Sequence, residues 1–276
     1  MEISPILDSS TLKQEPFMST VNVISKTAVL ETSIPEVIWL NTSFALQCFA
    51  QPLLEQLSEQ ANVTQWQYHP QLDEDCSLEQ AILRLHDYLK TLPHPAHLIG
   101  HSTSGLLGLL YARVYPEQVK SLSLLAVGVD IAVDWQFLYY QHRWQLSPDE
   151  LLSSMVYNLF GYQNQRNLDC LITLLKHDLI YSLSPHSLFR QVHLLPYEVA
   201  IPLLVCGSQD DIVVDDQDLQ AWGAFLKPGD RLWSCLDGGH FFHCSQAPAL
   251  AEQLVDFWQD SKHSQLGAPL TSAVIS

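Results

Sequence analysis

The sequence predicts an α/β protein, a mostly parallel sheet flanked by helices with a helical segment inserted into it. Three observations carry this. Short runs rich in β-branched and apolar residues alternate with runs of helical period, and parallel strands need such crossovers. The alternation stops over residues 131–196, which contain helix-like stretches and no convincing strand. The 276 residues are 47% apolar, enough for a large core in one large or two small domains.

In chain order, residues 1–18 mix Ser, Thr, Pro, Glu and Lys without apolar periodicity and read as a loose end, as do residues 261–276. Two runs, Thr20 to Ile24 and Thr27 to Glu31, are weak candidates for a leading hairpin because no turn signal separates them. The strands then read as Val37 to Leu40, Val63 to Tyr68, Ala96 to Ile99, Val119 to Val127, Ile201 to Cys206 and Arg231 to Leu236. Between them fall helices at Phe49 to Glu59, Ser77 to Leu92, Ser104 to Tyr115, Asp216 to Phe225 and Pro248 to Trp258. In the second of these, Leu78, Ile82, Leu85 and Leu89 recur at spacings of three and four and form one buried stripe. Pro116 ends the third. The segment Ile131 to Pro196 reads as an insertion dense in aromatics, among them Trp135, Tyr139, Trp144, Tyr157, Phe160 and Tyr162. Most of these serve ordinary packing, and a few are expected to touch a ligand.

Charge and composition exclude several functions. Thirty acidic against 13 basic residues give a net charge of -17, which disfavours nucleic acid and anionic lipid, and no basic cluster overrides it. No apolar run approaches the roughly 20 residues that span a bilayer, and no signal-peptide pattern opens the chain, so a cytoplasmic protein with no membrane span is expected. The cysteines Cys48, Cys76, Cys170, Cys206, Cys235 and Cys244 are scattered singly, and the 12 histidines lack metal-ligand spacing. No metal, no cofactor and no disulfide framework is inferred. The oligomeric state is not legible.

Chemistry concentrates after the strand Ala96 to Ile99, where Gly100-His101-Ser102-Thr103-Ser104-Gly105 leads into an apolar helix. A serine at such a strand, turn and helix junction is held in a strained conformation with its hydroxyl above the sheet edge. Serine is a poor nucleophile alone and needs a base oriented by an acid. Two later strand ends supply candidates. Ile201 to Cys206 runs into Gly207-Ser208-Gln209-Asp210-Asp211, and Arg231 to Leu236 runs into Asp237-Gly238-Gly239-His240. The order is Ser102, Asp210, His240. Asp211, Asp130 and His243 stand as alternative partners.

These motifs, with the segment from Gly238 to His243 and the following helix, resemble the α/β-hydrolase superfamily, over roughly Glu36 to Asp260. The likeness is to capped serine hydrolases among uncharacterised bacterial proteins, cyanobacterial ones included. It implies an α/β-hydrolase domain over residues 19–260, with 131–196 as its helical cap. It also implies Ser102 as nucleophile, Asp210 as orienting acid and His240 as general base. The chain departs from the family at two places. Where His-Gly usually opens the oxyanion loop, it has Asn41-Thr42-Ser43, and β-branched Thr42 resists positive φ. Asn41 and Ser43 are therefore the candidates for one oxyanion donor, with the Thr103 N–H as the other. Losing one donor raises the barrier by about 3 to 4 kcal/mol. The second departure is Ser104 in place of a glycine.

The expected activity is cleavage of a small, uncharged, apolar ester or thioester through an acyl-serine. An acyltransferase on the same triad, or a catalytically dead protein holding a small ligand in the same fold, are the alternatives.

Overall fold

The fold is described from a computed structural model over residues 36–69 and 77–266, with side chains as far as 260. The segment 1–18 and the weak hairpin over 20–31 lie outside the described residues. Strands β1 (Glu36–Asn41), β2 (Asn62–Gln67), β3 (Ala96–His101), β4 (Val119–Leu125), β5 (Leu203–Ser208) and β6 (Arg231–Cys235) form a six-stranded sheet in the order β2-β1-β3-β4-β5-β6. All neighbouring pairs are parallel.

Parallel strands of this kind are buried on both faces, and their sequences show it. Ile38 and Leu40 of β1 enter one core while Val37 and Trp39 enter the other. The same alternation sends Leu203 and Val205 of β5 one way and Leu204 and Cys206 the other. The first core is closed by α2 (Leu78–Leu89), α3 (Thr103–Val114) and α7 (Asp216–Gln220), through Leu85, Leu109 and Leu219. The second is closed by α1 (Gln51–Ser58), α8 (Phe242–Ser245) and α9 (Ala247–Leu266), through Leu54, Phe242 and Leu254. Helix α9 runs past the Trp258 end that the sequence predicts, into the segment read as a loose end.

Between β4 and β5 the chain forms α4 (Trp135–His142), α5 (Pro148–Phe160) and α6 (Gln165–Tyr181). Each start is written locally. Asp134 caps α4, Asn164 caps α6, and α5 opens on a Ser147–Glu150 capping box with Pro148 in its first turn. Their apolar faces share a third core, in which Val156, Leu171 and Leu175 are fully buried. A fully buried side chain of this size is worth about 1.5 to 3 kcal/mol. Phe49, Val213, Val214 and Phe241 join the same core from loops at the carboxyl ends of the strands, so the three helices pack over that edge. Trp144 and Tyr162, by contrast, are 74% and 80% exposed, so part of the insertion's aromatic density faces solvent.

Because the strands are all parallel, the segments following β1, β3, β5 and β6 emerge at one edge. That is where ligands bind in open α/β sheets.

Candidate active site

Ser102 sits between β3 and α3 with φ 52° and ψ -124°. A non-glycine residue at positive φ is strained, and the surroundings hold it there. Its N–H donates to the Leu125 carbonyl at the end of β4, 2.9 Å. The turn is tight because helix and strand nearly touch: a Cβ on Gly100 would lie 2.5 Å from the Ser104 carbonyl oxygen. Only glycine allows that approach.

His240 reaches the serine from the loop after β6, with Nε2 3.3 Å from Ser102 Oγ. Gly238 and Gly239 precede it at φ 128° and 59°, values that L side chains rarely adopt, and this lets the imidazole turn inward to full burial. On its other side, His240 Nδ1 donates to Asp211 Oδ2 at 2.9 Å. The structure therefore brings Asp211, rather than the expected Asp210, against the histidine. Asp211 is buried and its second oxygen accepts the Val213 N–H at 2.8 Å, which fixes the carboxylate. Asp210 points outward. It accepts from Ser208 Oγ at 2.6 Å and from the Gly239 N–H at 2.8 Å, so it clamps the loop that carries His240 without touching the ring. Burial raises the Asp210 pKa, but those donors outweigh it and hold the carboxyl below its ordinary value.

The other candidates lie elsewhere or are already engaged. Asp130 binds His193 at 2.5 Å and the Leu194 N–H at 3.0 Å, both within the insertion. His243 packs 4.4 Å from the His101 ring, and burial followed by the neighbouring His240 lowers its pKa to about 3. Burial also pushes His101 well below the ordinary histidine value, with His243 and His240 adding to the effect. His101 Nε2 donates to the His240 carbonyl at 2.8 Å. Both are neutral rings packed behind the His240 imidazole.

The loop after β1 is tied down by polar contacts. Asn41 pairs in register with Gln67 of β2, and its Nδ2 donates to Gln67 Oε1 at 2.6 Å, on the side of β1 away from Ser102. Its Oδ1 accepts the Ser43 N–H at 3.0 Å, an Asx turn. Both ends of the Asn41 amide are thus engaged, one by β2 and the other within the loop. Thr42 offers its N–H to Ser104 Oγ at 3.0 Å, and its hydroxyl lies 2.9 Å from the same atom. The two residues that depart from the family pattern therefore touch each other. Thr103 opens α3, where its N–H has no acceptor within the helix and lies at the positive end of the helix dipole.

Sequence reasoning missed two buried carboxylates on the insertion. Asp134 accepts from Thr103 Oγ1 at 2.6 Å and from the Phe137 N–H at 2.8 Å, joining α4 to the residue after Ser102. Asp178 on α6 accepts from Ser43 Oγ and Ser182 Oγ, from Trp135 Nε1 at 2.9 Å and from Gln136 Nε2 at 3.3 Å. Burial raises its pKa, and the four donors partly offset this. Asp134 reads only as a helix cap and Asp178 as a solvated helix position, so nothing in the sequence marks either as lining a site. Together with Ser102, His240, Phe241 and Leu183 they line a cavity of about 50 Å³. Its walls are more polar than the aromatic content of the insertion suggests, with Trp135 the insertion aromatic that lines it. Among the described residues, no group of three or more His, Cys, Asp or Glu could hold a metal ion, and no helix is long and apolar enough to cross a membrane.

This arrangement can be set beside known proteins. No protein-family model matches the chain. An uncharacterised protein of Synechocystis sp. is 44% identical over 225 residues, covering 81% of this chain and 90% of the relative. One of Nostoc sp. is 41% identical over 226 residues, with the same two coverages of 81% and 90%. Among solved structures, naproxen esterase from Bacillus subtilis superposes with a TM-score of 0.61 at 15% identity, covering 82% of this chain and 84% of that one. The type II thioesterase BorB from the borrelidin biosynthetic cluster gives 0.62 at 16% identity, covering 86% and 97%. At those identities the solved structures speak for the fold, and the two sequence relatives speak for kinship: the chain has the α/β-hydrolase fold and belongs to one family with the Synechocystis and Nostoc proteins.

Proposed function

We propose that this protein is a serine hydrolase that cleaves a small, uncharged ester or thioester through an acyl-serine, with Ser102 as nucleophile, His240 as general base and Asp211 as the orienting acid. The observation that carries the reading is the imidazole of His240 held between Ser102 Oγ and a buried, doubly bonded carboxylate. With Nδ1 donating to Asp211, Nε2 is left with the lone pair that accepts the serine proton. Ser102 Oγ then bonds to the substrate carbonyl carbon, and the oxyanion faces the Thr103 N–H at the start of α3. His240 returns its proton to the leaving alcohol or thiol as the carbonyl reforms. Water enters, gives its proton to His240 and attacks the acyl carbon, and Ser102 recovers its proton as the acid departs.

Helices α4 to α6, over residues 131–196, act in this reading as the cap of a domain spanning 19–260. A cavity of about 50 Å³ fits an acyl group of a few atoms, being several times smaller than a cavity of roughly 150 Å³ that takes up benzene. Its two buried carboxylates disfavour an anionic acyl group. One observation favours a second reading, a binding protein without turnover: the Ser43 N–H is already taken by Asn41 Oδ1. A fluorophosphonate probe separates them. The hydrolase reading expects labelling of Ser102, lost in Ser102→Ala with the fold retained. No labelling where a control hydrolase reacts leaves the binding protein.

A further inference from the structure

Asp178 stands apart from the triad, yet it is the most heavily bonded side chain over the site. Its carboxylate is buried, with no cationic group on it among its recorded partners. Its two oxygens are shared between three segments: Ser43 of the loop after β1, Trp135 and Gln136 at the start of α4, and Ser182 just past α6. Gln136 Nε2 also reaches the Asp178 carbonyl at 3.4 Å. The Ser43 hydroxyl that donates to Asp178 in turn accepts the Leu46 N–H at 3.2 Å. One residue beyond Ser182, the Leu183 N–H donates to the Thr42 carbonyl at 3.3 Å. The loop after β1 is thus held from above by the insertion as well as from below by Ser104.

Burying a carboxylate is expensive unless donors saturate it, and removing one donor leaves charge uncompensated. A packing role alone would be served more cheaply by an apolar side chain. What Asp178 adds is direction, because a carboxylate with its lone pairs filled from fixed indole, amide and hydroxyl donors defines where Ser43 Oγ must lie. Thr42 and Ser43 line the same cavity as Ser102 and Thr103, and their N–H groups, bonded here to Ser104 Oγ and Asn41 Oδ1, are the ones on this loop that an oxyanion would have to draw away. The loop lacks the glycine that shapes its counterpart in the family, so an external tether has something to fix.

We infer that Asp178 is a positioning residue, an anchor on the inserted helices that sets the Thr42–Ser43 segment for oxyanion binding, so that docking of the insertion and completion of the hole are coupled. This rests on the acyl-serine reading. It assigns Asp178 no contact with substrate.

The test compares native protein with Asp178→Ala, Ser43→Ala, the double variant and Ser43→Thr. Folded sites are counted by fluorophosphonate labelling, and turnover is measured on p-nitrophenyl acetate. Asp178→Ala is expected to lower kcat by about tenfold to a hundredfold, below the full loss of a donor, with KM changed by less than about threefold. Ser43→Ala is expected to lower kcat in the same way, and the double variant to be no worse than Asp178→Ala alone. Ser43→Thr, which keeps the hydroxyl, recovers most of the rate. Should Asp178→Ala not fold, the contrast between Ser43→Ala and Ser43→Thr still decides. A lower melting temperature with unchanged kcat per labelled site, additive losses in the double variant, or equal rates for the two Ser43 variants would overturn the anchor while leaving the hydrolase intact. Absence of labelling in the native protein overturns both.

Discussion

A carboxylate orients an imidazole only when it is itself fixed and shielded from water, and the Asp210–Asp211 pair separates these conditions cleanly. Asp211 is buried, accepts the Val213 N–H and meets Nδ1, whereas Asp210 faces outward and spends its oxygens on Ser208 and on backbone N–H groups of the glycine loop. Asp211→Asn is expected to lower kcat by about 10³ to 10⁴, since an amide cannot hold the imidazole in the working tautomer. Asp210→Asn is expected to cost about tenfold or less, through a looser loop. Turnover per titrated site measures both, and the reverse ranking would restore Asp210 as the acid. That Ser102 and His240 would meet was legible in sequence because glycines and a strand–helix junction mark their turns. Which aspartate meets the imidazole was not, because adjacent acidic residues after a strand differ only in the direction the turn gives their side chains, and that direction comes from tertiary contacts.

Elements show the same division between what a sequence writes locally and what packing decides. β-rich runs and helical patterns located the six strands within a few residues and most helices on both faces, though α9 runs well past its expected end and the short α8 was not read, and Asp134, Ser147 and Asn164 mark the starts of the inserted helices. Contacts between elements left no such trace. Thr42 and Ser104 each looked like an isolated departure, yet they form one link between the loop after β1 and the first turn of α3. Both are buried, so breaking the link leaves polar groups without partners. Ser104→Ala is expected to cost about 1 to 3 kcal/mol in urea unfolding. Replacing both residues by glycine is expected to cost less than the sum of the single changes, with a coupling of about 1 kcal/mol. Additive losses would show that the two departures are independent.

At the scale of the whole molecule, acid stability follows from which buried groups refuse a proton. His243 has its pKa lowered to about 3 and His101 is held well below the ordinary value, both chiefly by burial. Unfolded, each takes up a proton near pH 6.5. Between that pH and the folded pKa the unfolded state binds more protons, so stability is full above about pH 6.5 and falls as the pH drops. The slope is about 1.4 kcal/mol per pH unit for each group. Asp178 and the partly exposed Asp218 act in the opposite sense, because a raised carboxyl pKa favours the folded state as acid is added, while His69, lowered by partial burial, adds to the two buried histidines. Asp210, held below its ordinary value, adds to the loss only once the pH nears the unfolded carboxyl range of about 4. The histidines therefore decide the window from about pH 6.5 to 4.5. The melting temperature is expected to fall through that window, and His243→Leu, which also removes a buried Nδ1 without a hydrogen-bond partner, is expected to cut the slope by about half. A melting temperature that is flat from pH 7 to 5 would mean that these rings accept protons inside the fold. They would then repel the charge that His240 would carry in the proposed turnover. Keeping both neutral leaves His240, alone among the three packed imidazoles, bonded to a carboxylate that can receive that charge.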